Sequence, residues 1–400
     1  MIEVPVVSAW ARSADLPFDS VVCFGSVDWW YHNRGHFDLQ IMRELTRQVP
    51  VLYVNSIGMR FPNPREGATF LTRIGRKLSS MRRGVVPVRE RFHVYSPFSV
   101  PGRLAQRLSM PLLAAQTRHA LRRLGFRAPL LWISNPVAWE IVGHLGEAGL
   151  VYCRTDRYEA FPGVDPERIA RYDRLLKRAA DLTVFCASAL FESEKGECRN
   201  PAFVDHGVDF EKFAKGSEDP EPEDLRRIPR PRVGFIGSID EHTFDPDLFA
   251  RVVDLLPDFH FVLVGATTLA DGWLERPNVN FLGRKSYEQV SAYPGHCDVL
   301  IMPWNQSPWI QACNPIKLKE YLAAGRPVVT TWFDELRRYQ GSVRVAQGAE
   351  EFAAAIRAAS SEPTGDADRF RDRVRHETWS YQAERALVLI RSALARPAGA

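Results

Sequence analysis

NPIKLKEYLAAGRPVVTT occupies residues 314–331. Asn314 reads as a helix N-cap and Pro315 as the first helical residue, where a missing N–H costs nothing. Gly325 suits the left-handed position that ends a helix, and Pro327 blocks its continuation. The spacing therefore predicts a helix over 315–324, followed directly by a strand, PVVTT. Lys317 and Glu320 fall three apart on one face, beside Tyr321 and Ala324. Leu318 and Leu322 form the neighbouring apolar stripe. On spacing alone the pair reads as an exposed ion pair contributing under ~1 kcal/mol. Lys317 also lies in the first turn, where free N–H groups and the helix dipole already attract anions. A lysine there and an acid one turn later could grip a diphosphate and a sugar diol.

The chain around this stretch has 400 residues, 45% apolar and 25% charged. That composition is ordinary for a soluble globular protein and too long for one ordinary core. Six cysteines are scattered without a CxxC pair, and no histidine cluster has ligand spacing. Structural zinc and a disulfide framework are not expected, and buried reduced thiols suit a reducing compartment. No signal peptide and no apolar run of ~18 residues is apparent, so a cytoplasmic location is expected. The net charge is +4, but residues 60–127 hold fifteen Lys/Arg against Glu66 and Glu90, a local +13. The rest of the chain therefore sums to −9. This segment is partly amphipathic and suits an anionic partner, so peripheral attachment to the inner face of the cell membrane is expected. The plain alternative is arginine decorating solvated helices.

Short apolar runs alternate with helical patterns along the chain. Strands are expected at 21–25, 51–55, 92–96, 130–134, 151–155 and 182–188, then again at 232–238, 259–266, 278–283, 298–304 and 327–331. DPDLFARVVDLL and SYEQVSAY read as helices between members of the second series. Residues 213–231 are acidic and proline-rich and read as a linker. Two strand–helix series joined by a linker predict an α/β protein of two doubly wound domains, with ligands at the carboxyl ends of the strands. The expected division is 1–212, the linker 213–231, 232–375, and a final helix in 376–400 carrying Trp379.

The 314–331 stretch resembles the C-domain signature of GT-B glycosyltransferases, N-P-x-K-L-x-E-Y-x-A-x-G-x-P-V, at Asn314, Pro315, Lys317, Leu318, Glu320, Tyr321, Ala323, Gly325, Pro327 and Val328. RVGFIGSIDEHTFDPDLF, FHFVLVGA and NVNFLGRKSYEQV resemble the preceding strands of that domain in order. VDHGVDFEKF (204–213) resembles its hinge, with His206 in the place of an asparagine. The resemblance extends over roughly residues 200–395 and includes bacterial exopolysaccharide and teichuronic-acid-type transferases. It implies GT-B architecture: two Rossmann-like domains facing a central cleft, with a C-terminal helix crossing back to the first. It implies a nucleotide-sugar donor, UDP-linked by preference, held by Lys317 at the diphosphate and Glu320 at the ribose. Gly237 and Ser238 would face the phosphates, Phe281, Leu282 and Gly283 would meet the base, and Asn314 would complete the donor side. No metal and no cofactor is implied. Many retaining members carry a second glutamate eight residues before the one matching Glu320. Here that residue is Ala312, which points toward an outlying group and leaves both inverting and retaining transfer open.

VYCRTDRYEAFPG (151–163) resembles a segment of the same transferases, and its Asp156 is expected just past a strand. An inverting transfer needs a base for the acceptor hydroxyl, and Asp156 is the first candidate. The loop after the first strand, SVDWWYHNRGH, supplies Asp28 and His32 as further catalytic candidates. Trp29, Trp30, Tyr31 and Arg34 are its acceptor-binding candidates, because aromatic rings stack on sugars. The acceptor would be a glycan, a lipid-linked molecule or a small molecule in polysaccharide or cell-envelope biosynthesis. Two other readings are a GT-B sugar-nucleotide epimerase and a non-catalytic module that binds nucleotide sugar or membrane. A nucleic-acid binder ranks last, since the basic segment carries no RRM, KH or zinc-finger pattern.

Overall fold

The computed structural model describes residues 16–31, 35–57, 75, 79–98, 106–161, 163–270, 272–362 and 367–395. It has two compact units. The first takes the chain up to Cys186, then Leu190–Val204, then Gln382 onward; the second takes Ala187–Ala189 and Asp205–Tyr381.

The first unit is built on β1 (Ser20–Phe24), β2 (Val51–Val54), β3 (Val85–Arg89), β4 (Phe92–Tyr95), β5 (Pro129–Ile133), β6 (Gly149–Arg154), β7 (Leu182–Phe185) and β8 (Pro201–Phe203). Their order in the sheet is β3-β4-β2-β1-β5-β6-β7-β8. All neighbours are parallel except β3, which forms an antiparallel hairpin with β4. The central strands β1, β2, β5 and β6 are buried throughout, as a parallel sheet covered by helices on both faces requires. Cys23 and Cys153 sit within them as small apolar side chains.

The second unit is built on β9 (Arg232–Ile236), β10 (His260–Val264), β11 (Val279–Gly283), β12 (Val299–Met302), β13 (Val328–Thr330) and β14 (Arg344–Val345), in the order β11-β10-β9-β12-β13-β14, all parallel. Alternate residues enter opposite cores. Val262, Val264, Leu300, Met302 and Val328 join the cluster containing Tyr321 and Leu322. Phe261, Leu263, Val299, Ile301 and Val329 join the one containing Phe249 and Phe352. That is the period-two signature of a sheet with both faces covered.

Three strands were absent from the sequence expectation. β8 and β14 are too short to show alternation. β3 is a half-exposed edge carrying Pro87, which a ladder tolerates only at an edge. Residues 213–231 are not a loose linker. They hold the end of the Phe210–Lys215 helix and the Glu223–Arg226 helix, and they bury Phe213, Leu225 and Ile228 in the second unit's core. SYEQVSAY forms turns, with helix only at Ala292–Gly295. DPDLFARVVDLL forms Pro246–Leu255, capped by Asp245, which accepts from the Leu248 N–H at 2.9 Å. The tail helix runs Trp379–Ala395.

Candidate donor site in the second unit

The signature forms a helix over Ile316–Ala323 with Pro315 at the N-cap position, and no side chain caps it. Asn314 is not the cap. Its Nδ2 donates to Asp205 Oδ1 at 2.7 Å, so it is spent on the hinge segment 109 residues earlier. Gly325, at φ 72, ends the helix in the left-handed region. The Tyr321 hydroxyl fastens the helix to the end of β9: it accepts from the Ile236 N–H at 2.7 Å and donates to the Ile236 carbonyl at 3.2 Å.

This clamp sets Lys317 against Gly237, the residue after β9. A Cβ on Gly237 would come within 2.2 Å of the lysine Nζ, so any larger residue there would displace the lysine's end. One strand over, a Cβ on Gly265 would meet the Gly237 carbonyl oxygen at 1.8 Å. The Gly265 N–H in turn donates to the Gly283 carbonyl at 3.0 Å. Gly237, Gly265 and Gly283 thus form a rim free of side chains at the carboxyl ends of β9, β10 and β11. Ser238 is exposed at this rim. Leu282 is half-buried against the core, while the Phe281 ring, 43% exposed, packs edge-on to Trp273 at 6.2 Å.

Lys317 and Glu320 do not form the ion pair that their spacing suggests. Among the described residues no carboxylate bonds Lys317 and no cation bonds Glu320; the Lys317 Nζ instead stands 4.8 Å from the Phe235 ring centroid and 5.4 Å from that of Trp304. Burial lowers the Lys317 proton affinity, opposed by the charges of Glu320 and Asp240. Burial pushes the Glu320 carboxyl up to about 7, with Lys317 opposing and Asp209 adding to the rise. Each group is half-buried and makes no hydrogen bond to another side chain, so its charge is left open to a ligand. Beside Glu320, the Tyr287 hydroxyl donates to Asp209 Oδ2 at 2.6 Å, and the Lys212 ammonium lies 3.7 Å from the Tyr287 ring centroid. Sequence reasoning missed this trio because Tyr287 is 78 residues from Asp209.

The opposite face of the helix is satisfied. Lys319 is 0% exposed and bonds Asp205 Oδ1 at 2.9 Å, Glu377 Oε2 at 2.7 Å and the His206 carbonyl. Burial would raise the Asp205 carboxyl, but Lys319 and Arg338 hold it well below the usual carboxylate range.

In the first unit, Asp156 lies half-buried two residues beyond β6, and its carbonyl accepts from the Tyr158 N–H at 3.0 Å. Its loop is braced by Arg154, which is buried. The guanidinium bonds both oxygens of Glu159 at 3.0 Å and reaches Asp173 and Glu194. The Asp28 carboxylate accepts from the Trp30 N–H of its own loop at 2.9 Å and from the distant Ser80 hydroxyl at 3.2 Å. Trp29 is a core residue rather than an acceptor platform: it is 6% exposed and packs 5.0 Å from Phe92. Trp30 is half-buried under the Arg83 guanidinium, 4.5 Å from its centroid, and Tyr31 is half-buried beside it. His32 and Arg34 lie outside the described residues.

Residues 230–362 match the family model "Glycosyl transferases group 1". TuaH of Bacillus subtilis (strain 168), whose name assigns it to teichuronic acid biosynthesis as a glycosyltransferase, is 33% identical over 168 residues. That match spans 40% of this chain and 42% of TuaH's length. Among solved structures, Anabaena Alr3699/HepE in complex with UDP-glucose aligns with TM-score 0.59 at 15% identity, covering 94% of this chain and 98% of its own. The α,α-trehalose 6-phosphate synthase of Burkholderia multivorans aligns with TM-score 0.62 at 14% identity, covering 94% and 99%. The six-stranded sheet, its glycine rim and the helix bearing Lys317 and Glu320 all fall inside the matched span. Residues 230–362 are thus similar to the glycosyl transferases of group 1, and the fold is GT-B.

Proposed function

We propose that this protein transfers a sugar from a nucleotide diphosphate donor, UDP-linked by preference, to a glycan, lipid-linked or small-molecule acceptor. The observation that carries the reading is the Lys317–Glu320 pair: two half-buried, oppositely charged groups on one helix that do not bond each other. In this reading the Lys317 ammonium and the uncapped N–H groups of Ile316 and Lys317 receive the diphosphate. They stabilise the negative charge that grows on it as the bond to the sugar C1 breaks, so the protein itself supplies the countercharge. The ionised Glu320 carboxylate accepts from the ribose diol. The glycine rim lets backbone approach the phosphates. The preference for uracil is supported by HepE, which was solved with UDP-glucose. Asp156 is the carboxylate proposed to take the proton from the acceptor hydroxyl as that oxygen attacks C1. Ala312, buried where many relatives keep an acid, favours inversion at that carbon.

A thermal-shift panel of UDP-, GDP- and dTDP-sugars tests the donor, since a ligand of the folded state raises its apparent stability. The UDP compounds should give the largest shift. UDP-sugars should also be hydrolysed slowly in EDTA, and the rate should vanish in Lys317→Ala. Binding with no turnover toward any acceptor would leave a non-catalytic module. Epimerised nucleotide sugar would mark an epimerase.

Peripheral attachment to an anionic membrane is proposed for the basic segment. Its support is a surface of the first unit where Phe98 and Leu112, 51% and 42% exposed, accompany exposed Arg118, Arg122 and Arg123. Among the described residues no helix is long and apolar enough to cross a membrane. Residues 58–74, 76–78 and 99–105 of that segment lie outside the described ones. Co-sedimentation with vesicles should rise with their anionic lipid content and weaken in salt. Indifference to lipid charge would end the idea.

A further inference from the structure

Lys317 is a half-buried cation that bonds no carboxylate among the described residues, and two aromatic rings stand against it. They are Phe235, in β9, and Trp304, two residues past β12. Trp304 is 4% exposed, and its Nε1 has no acceptor among the described residues. A site that needed only apolar bulk would be better filled by leucine or phenylalanine, which bring no N–H to leave unpaired. What an indole supplies beyond those side chains is the strongest aromatic face for a cation. The ring is set from behind. Its backbone N–H donates to Thr331 Oγ1 at 3.2 Å, the Thr331 hydroxyl donates to its carbonyl at 2.8 Å, and Phe333 packs 5.3 Å away.

We propose that Phe235 and Trp304 are positioning residues for the donor diphosphate: their ring faces seat the half-buried Lys317 ammonium, free of any carboxylate, where the phosphates meet it. A carboxylate at this place would hold the lysine too, but it would compete with the phosphates and repel them. An aromatic face stabilises the cation and leaves its charge available. The inference rests on the donor site proposed above and adds to it the device that prepares the lysine.

The test is isothermal titration of UDP and UMP into the wild type and the variants Lys317→Met, Trp304→Leu, Trp304→Phe and Phe235→Leu. UMP keeps the nucleoside contacts and lacks the second phosphate. Trp304→Leu should weaken UDP about tenfold, the scale of a desolvated cation–π contact, while UMP changes little. Trp304→Phe should recover most of the loss, because it restores an aromatic face without the indole N–H. Equal losses for UDP and UMP would reduce Trp304 to packing and overturn the proposal, as would an unchanged UDP affinity. Should Trp304→Leu fail to fold, Phe235→Leu reads the same selectivity from the other ring. Lys317→Met separates the two levels. If it loses UDP while the ring variants do not, only this inference falls; if it binds UDP as the wild type does, the donor-site reading falls with it.

Discussion

Lys317 and Lys319 stand two residues apart on one helix, yet the protein treats them in opposite ways. Lys319 is fully buried and saturated by Asp205, Glu377 and a backbone carbonyl. Lys317 is held by two rings and bonds no acid among the described residues. Dehydrating a charge is costly in both places. At Lys319 the protein offsets that cost internally, which ties the start of the helix to the hinge segment at Asp205 and to Glu377. At Lys317, half-buried, the charge is left without an acid partner, as the proposed diphosphate site requires. A buried lysine therefore says little by itself; its partners decide whether it is structural or waits for a ligand.

The strongest test of this contrast exchanges each lysine for methionine, which keeps the apolar stem. Lys319→Met removes one cation from Asp205 and Glu377, which keep Arg338 and Arg373, and should cost about 3 kcal/mol, the lower end for a broken buried pair. Thermal melting should show a fall on the order of 10 °C for a unit of this size. Lys317→Met should leave the melting temperature nearly unchanged or slightly raised, and should weaken UDP by about ten- to a hundredfold, the range of a lost charged hydrogen bond. If the two variants melt alike, the distinction between a structural and a ligand lysine fails.

A smaller effect sharpens the same comparison at Glu320, whose carboxyl burial lifts to about 7. Its folded-state value lies above its unfolded one, so the neutral form favours folding. That contribution is fully present below about pH 4.5 and is lost as pH rises through about 7. Ligand binding runs the other way, because the ribose diol needs the ionised carboxylate. UDP affinity should fall several-fold between about pH 7.5 and about pH 6 in the wild type. Glu320→Gln should flatten both the stability and the binding profiles in that window. A profile that keeps its slope in Glu320→Gln would place the titrating group elsewhere.

The legible parts of the molecule were local ones. The helix at 316–323 announced itself through Pro315 and Gly325, and the central strands through apolar runs bounded by turn residues. The illegible parts depend on distant partners or on very short elements. Asn314 has every mark of an N-cap, but Asp205 claims its amide. Lys319 carries no mark in the sequence, yet it faces inward onto Asp205 and Glu377. Trp29 looks like a sugar platform, and a neighbouring strand's Phe92 takes its face. β14 is two residues long and β8 three, too short for a period to show.

By itself the sequence determined two parallel strand–helix series and the helix that presents Lys317 and Glu320, because periodicity, caps and glycines act within a few residues. Only the tertiary structure decided that Lys317 and Glu320 stay unpaired while Lys319 is saturated. Pairing depends on groups brought together from positions such as 205, 235, 304 and 377, and no local rule relates those positions.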